Sequence, residues 1–131
     1  MAESSRTNSP PLISVIDDDE SMREALQSLL RSVGFRTTVF ASAEDFLTSG
    51  RFSESDCLIL DVRMPGMSGL ELQQKLAAEN RRIPTIFISA HSETDEKKRA
   101  LDAGAIDFLY KPFSEESLLD AVDSALRSGT R

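Results

Sequence analysis

Residues 57 to 69 read Cys57-Leu58-Ile59-Leu60-Asp61-Val62-Arg63-Met64-Pro65-Gly66-Met67-Ser68-Gly69. An unbroken apolar run before a loop is typical of a parallel strand that is buried on both faces. The proline and the glycines that follow Asp61 end extended structure within a few residues. Asp61 is therefore predicted at the carboxyl end of a strand, which is where open α/β sheets bind their ligands.

Three other apolar runs of the chain also end in polar residues. These polar residues are Asp17 and Asp18 after the run 12–16, Ser89 after 86–88, and Lys111 after 108–110. Neighbouring parallel strands end at a common edge of a sheet, so these side chains are expected near Asp61. A single aspartate at a strand end would more often cap a helix or lie in a loop, whereas the full set favours a functional site.

The apolar runs alternate with segments of helical periodicity. The predicted strands are 12–16, 35–40, 57–60, 85–88 and 106–110, and the predicted helices begin near residues 21, 42, 68, 94 and 114. Two of the helix starts have the spacing of a capping box, at Ser21 with Glu24 and at Ser68 with Glu71. Such alternation predicts an α/β fold with right-handed crossovers and a mainly parallel sheet.

The length of the chain bounds the number of domains. With 131 residues it can bury one core, and it is too short for two ordinary domains. Residues 1 to 10 are polar, lack apolar periodicity and are predicted to be a disordered tail. The domain is predicted to span residues 11 to 128, with a short tail at residues 129 to 131.

Charge and composition exclude several classes of function. The net charge of −7 argues against attraction to nucleic-acid phosphates, so direct nucleic-acid binding is not expected. No apolar run has the length of a membrane span and no signal peptide is visible, which favours a cytoplasmic protein without a membrane partner. Cys57 and His91 are single residues of their types, so neither a disulfide framework nor a zinc site is indicated.

The chain resembles the receiver domain of two-component response regulators and looks closest to the FixJ-like branch. The resemblance covers about residues 11 to 127 and rests on four motifs in order, which are Asp17-Asp18, Asp61-x-x-Met64-Pro65-x-Met67-x-Gly69, Ser89-Ala90 and Lys111-Pro112-Phe113. It implies a flavodoxin-like, doubly wound architecture in which a five-stranded parallel sheet of order 2-1-3-4-5 is flanked by five helices. It also implies a cis peptide bond between Lys111 and Pro112.

Three carboxylates gathered at one edge would repel one another. Two like charges about 4 Å apart cost on the order of 4 kcal/mol at an effective dielectric constant of 20. The cluster of Asp17, Asp18 and Asp61 therefore needs a divalent cation, the Lys111 ammonium or a raised pKa on one acid. Mg²⁺ suits this set, because it binds through one or two carboxylates, keeps several waters and can also hold a phosphoryl oxygen.

The resemblance implies a role for each member of the set. Asp61 would be the nucleophile that accepts a phosphoryl group and would also be a Mg²⁺ ligand. Asp18 would be a direct Mg²⁺ ligand and Asp17 a ligand through water. The Arg63 carbonyl would be a backbone ligand of the same ion. Lys111 and Ser89 would contact phosphoryl oxygens, and Ser89 stands where threonine is commoner in the family.

The resemblance also implies a switch and a control of phosphoryl lifetime. Phe108 matches the aromatic switch position and would move with Ser89, while Arg63 and His91 would tune hydrolysis of the aspartyl phosphate. The implied phosphodonor is a sensor histidine kinase or a histidine phosphotransfer protein. Charges of the fourth helix and fifth strand further predict a homodimer that forms on phosphorylation.

Two other functions remain open at this level. A stand-alone Mg²⁺-dependent phosphohydrolase would also use an aspartyl phosphate, although Arg63 occupies the position of its expected second acid. A phosphate-independent binding module could use the same fold. The sequence does not separate a single-domain regulator from the amino-terminal part of a transcription factor.

Overall fold

The computed structural model of the chain describes residues 9–50, 52–91 and 94–129. Of the predicted tails at residues 1–10 and 129–131, residues 1–8 and 130–131 lie outside the described residues. Five strands form one parallel sheet in the order β2-β1-β3-β4-β5. The strands are β1 (Leu12–Ile16), β2 (Arg36–Phe40), β3 (Cys57–Asp61), β4 (Thr85–Ser89) and β5 (Asp107–Tyr110). The predicted strand order and parallel sheet are thereby confirmed.

Helices alternate with the strands, as the sequence predicted. They are α1 (Glu20–Ser32), α2 (Ala43–Thr48), α3 (Gly69–Ala78), α4 (Thr94–Asp102) and α5 (Glu115–Gly129), and a short 3₁₀ helix covers Phe52–Glu54. The end of α5 lies one residue beyond the predicted domain boundary at residue 128. In the described part of the chain, no helix combines the length and apolar character that crossing a membrane requires.

The amino-terminal caps of two helices test the capping-box predictions. The predicted cap at Ser68 is confirmed, because its hydroxyl accepts the Glu71 N–H while the Glu71 side chain accepts the Ser68 N–H. The predicted cap at Ser21 is wrong. Asp19 caps α1 instead, since its carboxylate accepts the Ser21 N–H at 3.0 Å and the helix begins at Glu20.

Two apolar layers bury the sheet, one on each face. Successive side chains of a strand point to opposite faces, so Leu58 and Leu60 join the cluster that includes Leu72 of α3. Ile59 joins the opposite cluster, which includes Leu118 of α5. β1, β3 and β4 are buried throughout, as expected for strands covered by helices on both sides.

The order of the strands creates a crevice at one edge of the sheet. The chain passes from β1 to β2 on one side and then crosses to β3 on the other side of β1. Helices that leave β1 and β3 therefore run to opposite faces and leave an opening between the two strand ends. Asp17 follows β1 and Asp61 ends β3, so both lie at this opening, the carboxyl edge of the sheet.

Candidate functional site

Three aspartates meet at the carboxyl edge of the sheet. Asp17 is fully buried after β1, Asp61 is 6% exposed at the end of β3, and Asp18 is exposed to solvent. Each offers a carboxylate oxygen, and these three oxygens lie within 4.8 Å of one another. The structure therefore brings together the acidic residues that the sequence predicted as a site.

Lys111 reaches this cluster from the end of β5. Its Nζ donates a hydrogen bond to Asp17 Oδ2 at 3.0 Å and lies 3.9 Å from Asp61 Oδ2. The backbone fixes its position, because the Lys111 N–H donates to the Ser89 carbonyl at 2.7 Å and a cis peptide bond joins Lys111 to Pro112. The predicted cis bond is thus confirmed, and the Lys111 ammonium lies close to the carboxylates of Asp17 and Asp61.

Burial and the charges of the cluster shift the pKa of Asp61. Burial, and after it the negative charge of Asp17, together raise the pKa of this carboxyl to about 7, although the Lys111 ammonium acts in the opposite direction. Asp18 contributes a smaller effect in the same direction as Asp17. The Lys111 ammonium therefore compensates only part of the repulsion among the carboxylates.

The donor set fits Mg²⁺. All three side chains offer carboxylate oxygens, which hard cations prefer, and the exposure of Asp18 leaves room for the waters that Mg²⁺ retains. Asp17 already accepts hydrogen bonds at both oxygens, from the Asp19 N–H at Oδ1 and from Lys111 at Oδ2. This occupancy is compatible with the predicted contact of Asp17 to the ion through water.

The loop that follows Asp61 is held against the strand. The Gly69 N–H donates to the Val62 carbonyl at 2.9 Å, and a Cβ atom added at Gly69 would lie 2.3 Å from the Asp61 carbonyl oxygen. Only glycine fits so close an approach of two backbone segments. On the outer side, Glu44 of α2 accepts the Met67 N–H at 2.8 Å, a contact that no local pattern in the sequence indicated.

Ser89 is the last residue of β4, and its hydroxyl is already hydrogen-bonded. Its Oγ donates to the His91 carbonyl and accepts the His91 N–H, both at 3.1 Å. Ser89 is buried, whereas His91 is exposed. Ser89 thus lies on the strand next to that of Asp61, and His91 begins the connection to α4.

Phe108 lies inside β5. The strand begins at Asp107 and continues to Tyr110, and Phe108 pairs with Phe87 of β4. Its side chain is 3% exposed, with ring centroids 6.2 Å from Phe87 and 5.4 Å from Tyr110. The ring therefore occupies an inward, packed position.

Arg63 contacts a helix that the sequence did not connect with the site. Its Nε donates to Glu96 Oε2 at 3.0 Å, and Glu96 belongs to the first turn of α4. The Glu96 side chain is only 16% exposed, compared with 42% for Arg63. Glu96 was missed because its sequence neighbours carry no motif, and only the fold brings it to the loop after Asp61.

The comparisons with known proteins agree with this geometry. The family model described as the response regulator receiver domain matches residues 13–123. The response regulator protein TmoT of Ectopseudomonas mendocina is 51% identical over 116 residues, which are 88% of this chain and 53% of TmoT. This chain thus spans about half the length of that curated relative.

Solved structures give the same result. The response regulator StyR has a TM-score of 0.86 at 49% identity, with 92% of this chain and 61% of StyR covered. The structure titled FixJ-N has a TM-score of 0.81 at 34% identity, with 89% of this chain and 94% of that chain covered. Because sequence, fold and the arrangement of acidic residues agree, the chain belongs to the receiver domain family of two-component response regulators.

Proposed function

We propose that Asp61 accepts a phosphoryl group from a sensor histidine kinase or a histidine phosphotransfer protein in a Mg²⁺-dependent reaction. The phosphorylated domain then changes conformation and so controls a partner or an output domain. One observation carries this proposal. Asp61 lies at the carboxyl edge with two further carboxylates within 4.8 Å and the Lys111 ammonium 3.9 Å away. The domain is thus a signalling element that promotes only its own phosphorylation and dephosphorylation, and we infer a cytoplasmic location.

The chemistry requires Asp61 as an anion. A carboxylate oxygen of Asp61 attacks the phosphorus atom, the bond from phosphorus to the donor nitrogen breaks, and the histidine leaves with that electron pair. The groups that would hold Mg²⁺ are Asp18, Asp61, the Arg63 carbonyl and, through a water molecule, Asp17. The charge of the ion would neutralise the phosphoryl oxygens. Lys111 lowers the pKa of Asp61 and so increases the fraction of the reactive anion.

Lys111 and Ser89 are the proposed partners of the new phosphoryl group. The ammonium already lies between Asp17 and Asp61, so it can contact a phosphoryl oxygen with little movement. The Ser89 hydroxyl must first give up its hydrogen bond to the His91 carbonyl. Phosphorylation would therefore pull on the connection between β4 and α4.

We propose that this pull is coupled to the Phe108 ring. Phe108 packs between Phe87 and Tyr110, and Lys97 Nζ of α4 lies 5.6 Å from the Tyr110 ring centroid. A shift of Ser89 toward phosphate would favour one of two packings of these rings and alter the surface of α4 and β5. An NMR environment of Phe108 that is unchanged by phosphorylation would refute this switch.

The same surface is the proposed site of a phosphorylation-dependent homodimer. Leu101 of α4 is exposed, although it is apolar. Lys98 pairs with Asp102 at 2.9 Å, so a symmetric dimer could exchange pairs within one helix for pairs between copies. We expect tighter association after phosphorylation, measured by sedimentation of both forms at matched concentration. Equal masses would remove the dimer from the proposal.

The experiment that tests the function is incubation with Mg²⁺ and a small acyl or amido phosphate. Intact mass should reveal one alkali-labile phosphoryl group on the wild type and none on Asp61→Asn. Sustained hydrolysis of phosphomonoesters without this adduct would instead indicate a phosphohydrolase. The absence of both the adduct and the hydrolysis would indicate a phosphate-independent binding module.

A further inference from the structure

An ion pair joins the loop after Asp61 to the first turn of α4. Arg63 Nε lies 3.0 Å from Glu96 Oε2, and this contact joins residues that are 33 positions apart in the sequence. Arg63 comes two residues after Asp61, where β3 has ended. Arg63 therefore belongs to the short loop segment that begins directly after Asp61.

Loss of this ion pair would cost Glu96 more than Arg63. Glu96 has a side chain that is 16% exposed, and its Oε1 is buried without a hydrogen-bond partner among residues 9–50, 52–91 and 94–129. A buried carboxylate that loses its cation is strongly destabilised. Arg63 is 42% exposed and can exchange one anion for another at a smaller cost.

Phosphorylation would create a competing anion beside Arg63. A phosphoryl group carries about −1.5 to −2 charges at pH 7, in place of the single charge of the ionised carboxylate, and presents oxygens that match a guanidinium in geometry. We propose that Glu96 is a positioning residue that holds Arg63 away from unphosphorylated Asp61, and that the phosphoryl group draws Arg63 from Glu96. Because Glu96 then lacks its cation, the first turn of α4 moves to hydrate the carboxylate.

This inference rests on the proposed phosphoacceptor function and gives α4 a second connection to the site. The first connection runs through Ser89 and Phe108, whereas this one runs through Arg63 and Glu96. Coupling between two sites is reciprocal. If a phosphoryl group weakens the ion pair, loss of the ion pair must favour the phosphoryl group by the same factor.

Beryllium trifluoride provides the test, because it becomes tetrahedral when it coordinates a carboxylate oxygen and so mimics a phosphoryl group. Its affinity for Asp61 is measured in the presence of Mg²⁺ by fluorine NMR, for the wild type, Glu96→Gln, Arg63→Gln and the double variant. We expect Glu96→Gln to tighten binding at least about fivefold in the wild-type background. In the Arg63→Gln background, the same substitution should change affinity less than about twofold, because no ion pair remains to be broken.

Two controls isolate the ion pair. Glu79→Gln also removes one carboxylate, from a surface pair with Lys75, and should leave affinity unchanged. Urea denaturation checks that each variant is folded. Amide NMR gives a second readout that does not need Glu96→Gln: beryllium trifluoride should shift the Lys97 amide more in the wild type than in Arg63→Gln.

Each outcome decides the inference. Equal tightening in both backgrounds would mean that the Glu96 charge acts directly through space, and unchanged affinity would mean that Arg63 does not exchange partners. Equal Lys97 shifts in wild type and Arg63→Gln would also overturn the proposal. Absence of binding to the wild type would refute the phosphoacceptor proposal itself, and this inference with it.

Discussion

Replacement of Asp61 by asparagine should stabilise the metal-free protein at neutral and alkaline pH. Burial raises the pKa of Asp61 from 3.8 to about 7, so the folded state holds this proton more tightly than the unfolded state does. The carboxyl is protonated in both states below about pH 4, and ionisation costs nothing there. Between about pH 4 and pH 7 the unfolded state loses the proton first, and wild-type stability falls as pH rises.

The size of the effect follows from the same pKa. The difference between 3.8 and about 7, at about 1.4 kcal/mol per pKa unit, gives an upper bound of about 4 kcal/mol. Water at the open crevice screens part of the repulsion from Asp17 and Asp18, so we expect about 2 to 4 kcal/mol at pH 8. The neutral amide of Asp61→Asn carries no such penalty at any pH.

Urea denaturation with a chelator, at a series of pH values from 4 to 8, measures the prediction. The gain of Asp61→Asn over the wild type should be close to zero at pH 4 and reach its full size above pH 7. Asp120→Asn, which removes an exposed carboxylate from α5, controls for net charge. If Asp61→Asn gave no gain in unfolding free energy at pH 8, or the same gain at all pH values, Asp61 would not be the acid with the raised pKa.

Three further predictions concern the same edge of the sheet. Asp18→Ala should weaken Mg²⁺ binding, measured by calorimetry, while the urea midpoint changes little because Asp18 is exposed; equal affinity would remove Asp18 from the ligand set. Gly69→Ala should destabilise the fold by about 1 to 3 kcal/mol or more, because its Cβ would meet the Asp61 carbonyl; an unchanged midpoint would contradict this. Substitutions at Arg63 and His91 should alter the decay rate of the aspartyl phosphate without preventing its formation, and unchanged decay in both would refute their role.

The fold and the main site residues were predictable because their signals are local. Apolar runs bounded by Pro, Gly and charged residues mark the buried strands. The residue at the carboxyl end of each strand can therefore be identified from the sequence. Asp17, Asp61 and Lys111 were therefore predicted together, since the ends of parallel strands share one edge. The capping box at Ser68 was equally readable from its spacing to Glu71.

Other features depend on contacts that the sequence does not encode locally. Glu44 and Glu96 contact the loop after Asp61 from 23 and 33 residues away, and no periodicity marks them. The cap of α1 was misplaced because several acceptors stand in a row before the helix. At the observed cap, Asp17 accepts the Asp19 N–H at 2.9 Å and so orients the turn in which Asp19 accepts the Ser21 N–H.

The central claim is that Asp61, and not another acid of the cluster, carries the phosphoryl group. Borohydride reduces an aspartyl phosphate to homoserine, which marks the modified position permanently. After incubation with Mg²⁺ and a small phosphodonor, reduction and peptide mass spectrometry should find homoserine at residue 61 alone. Homoserine at position 17 or 18, or undiminished labelling of Asp61→Asn, would contradict the account.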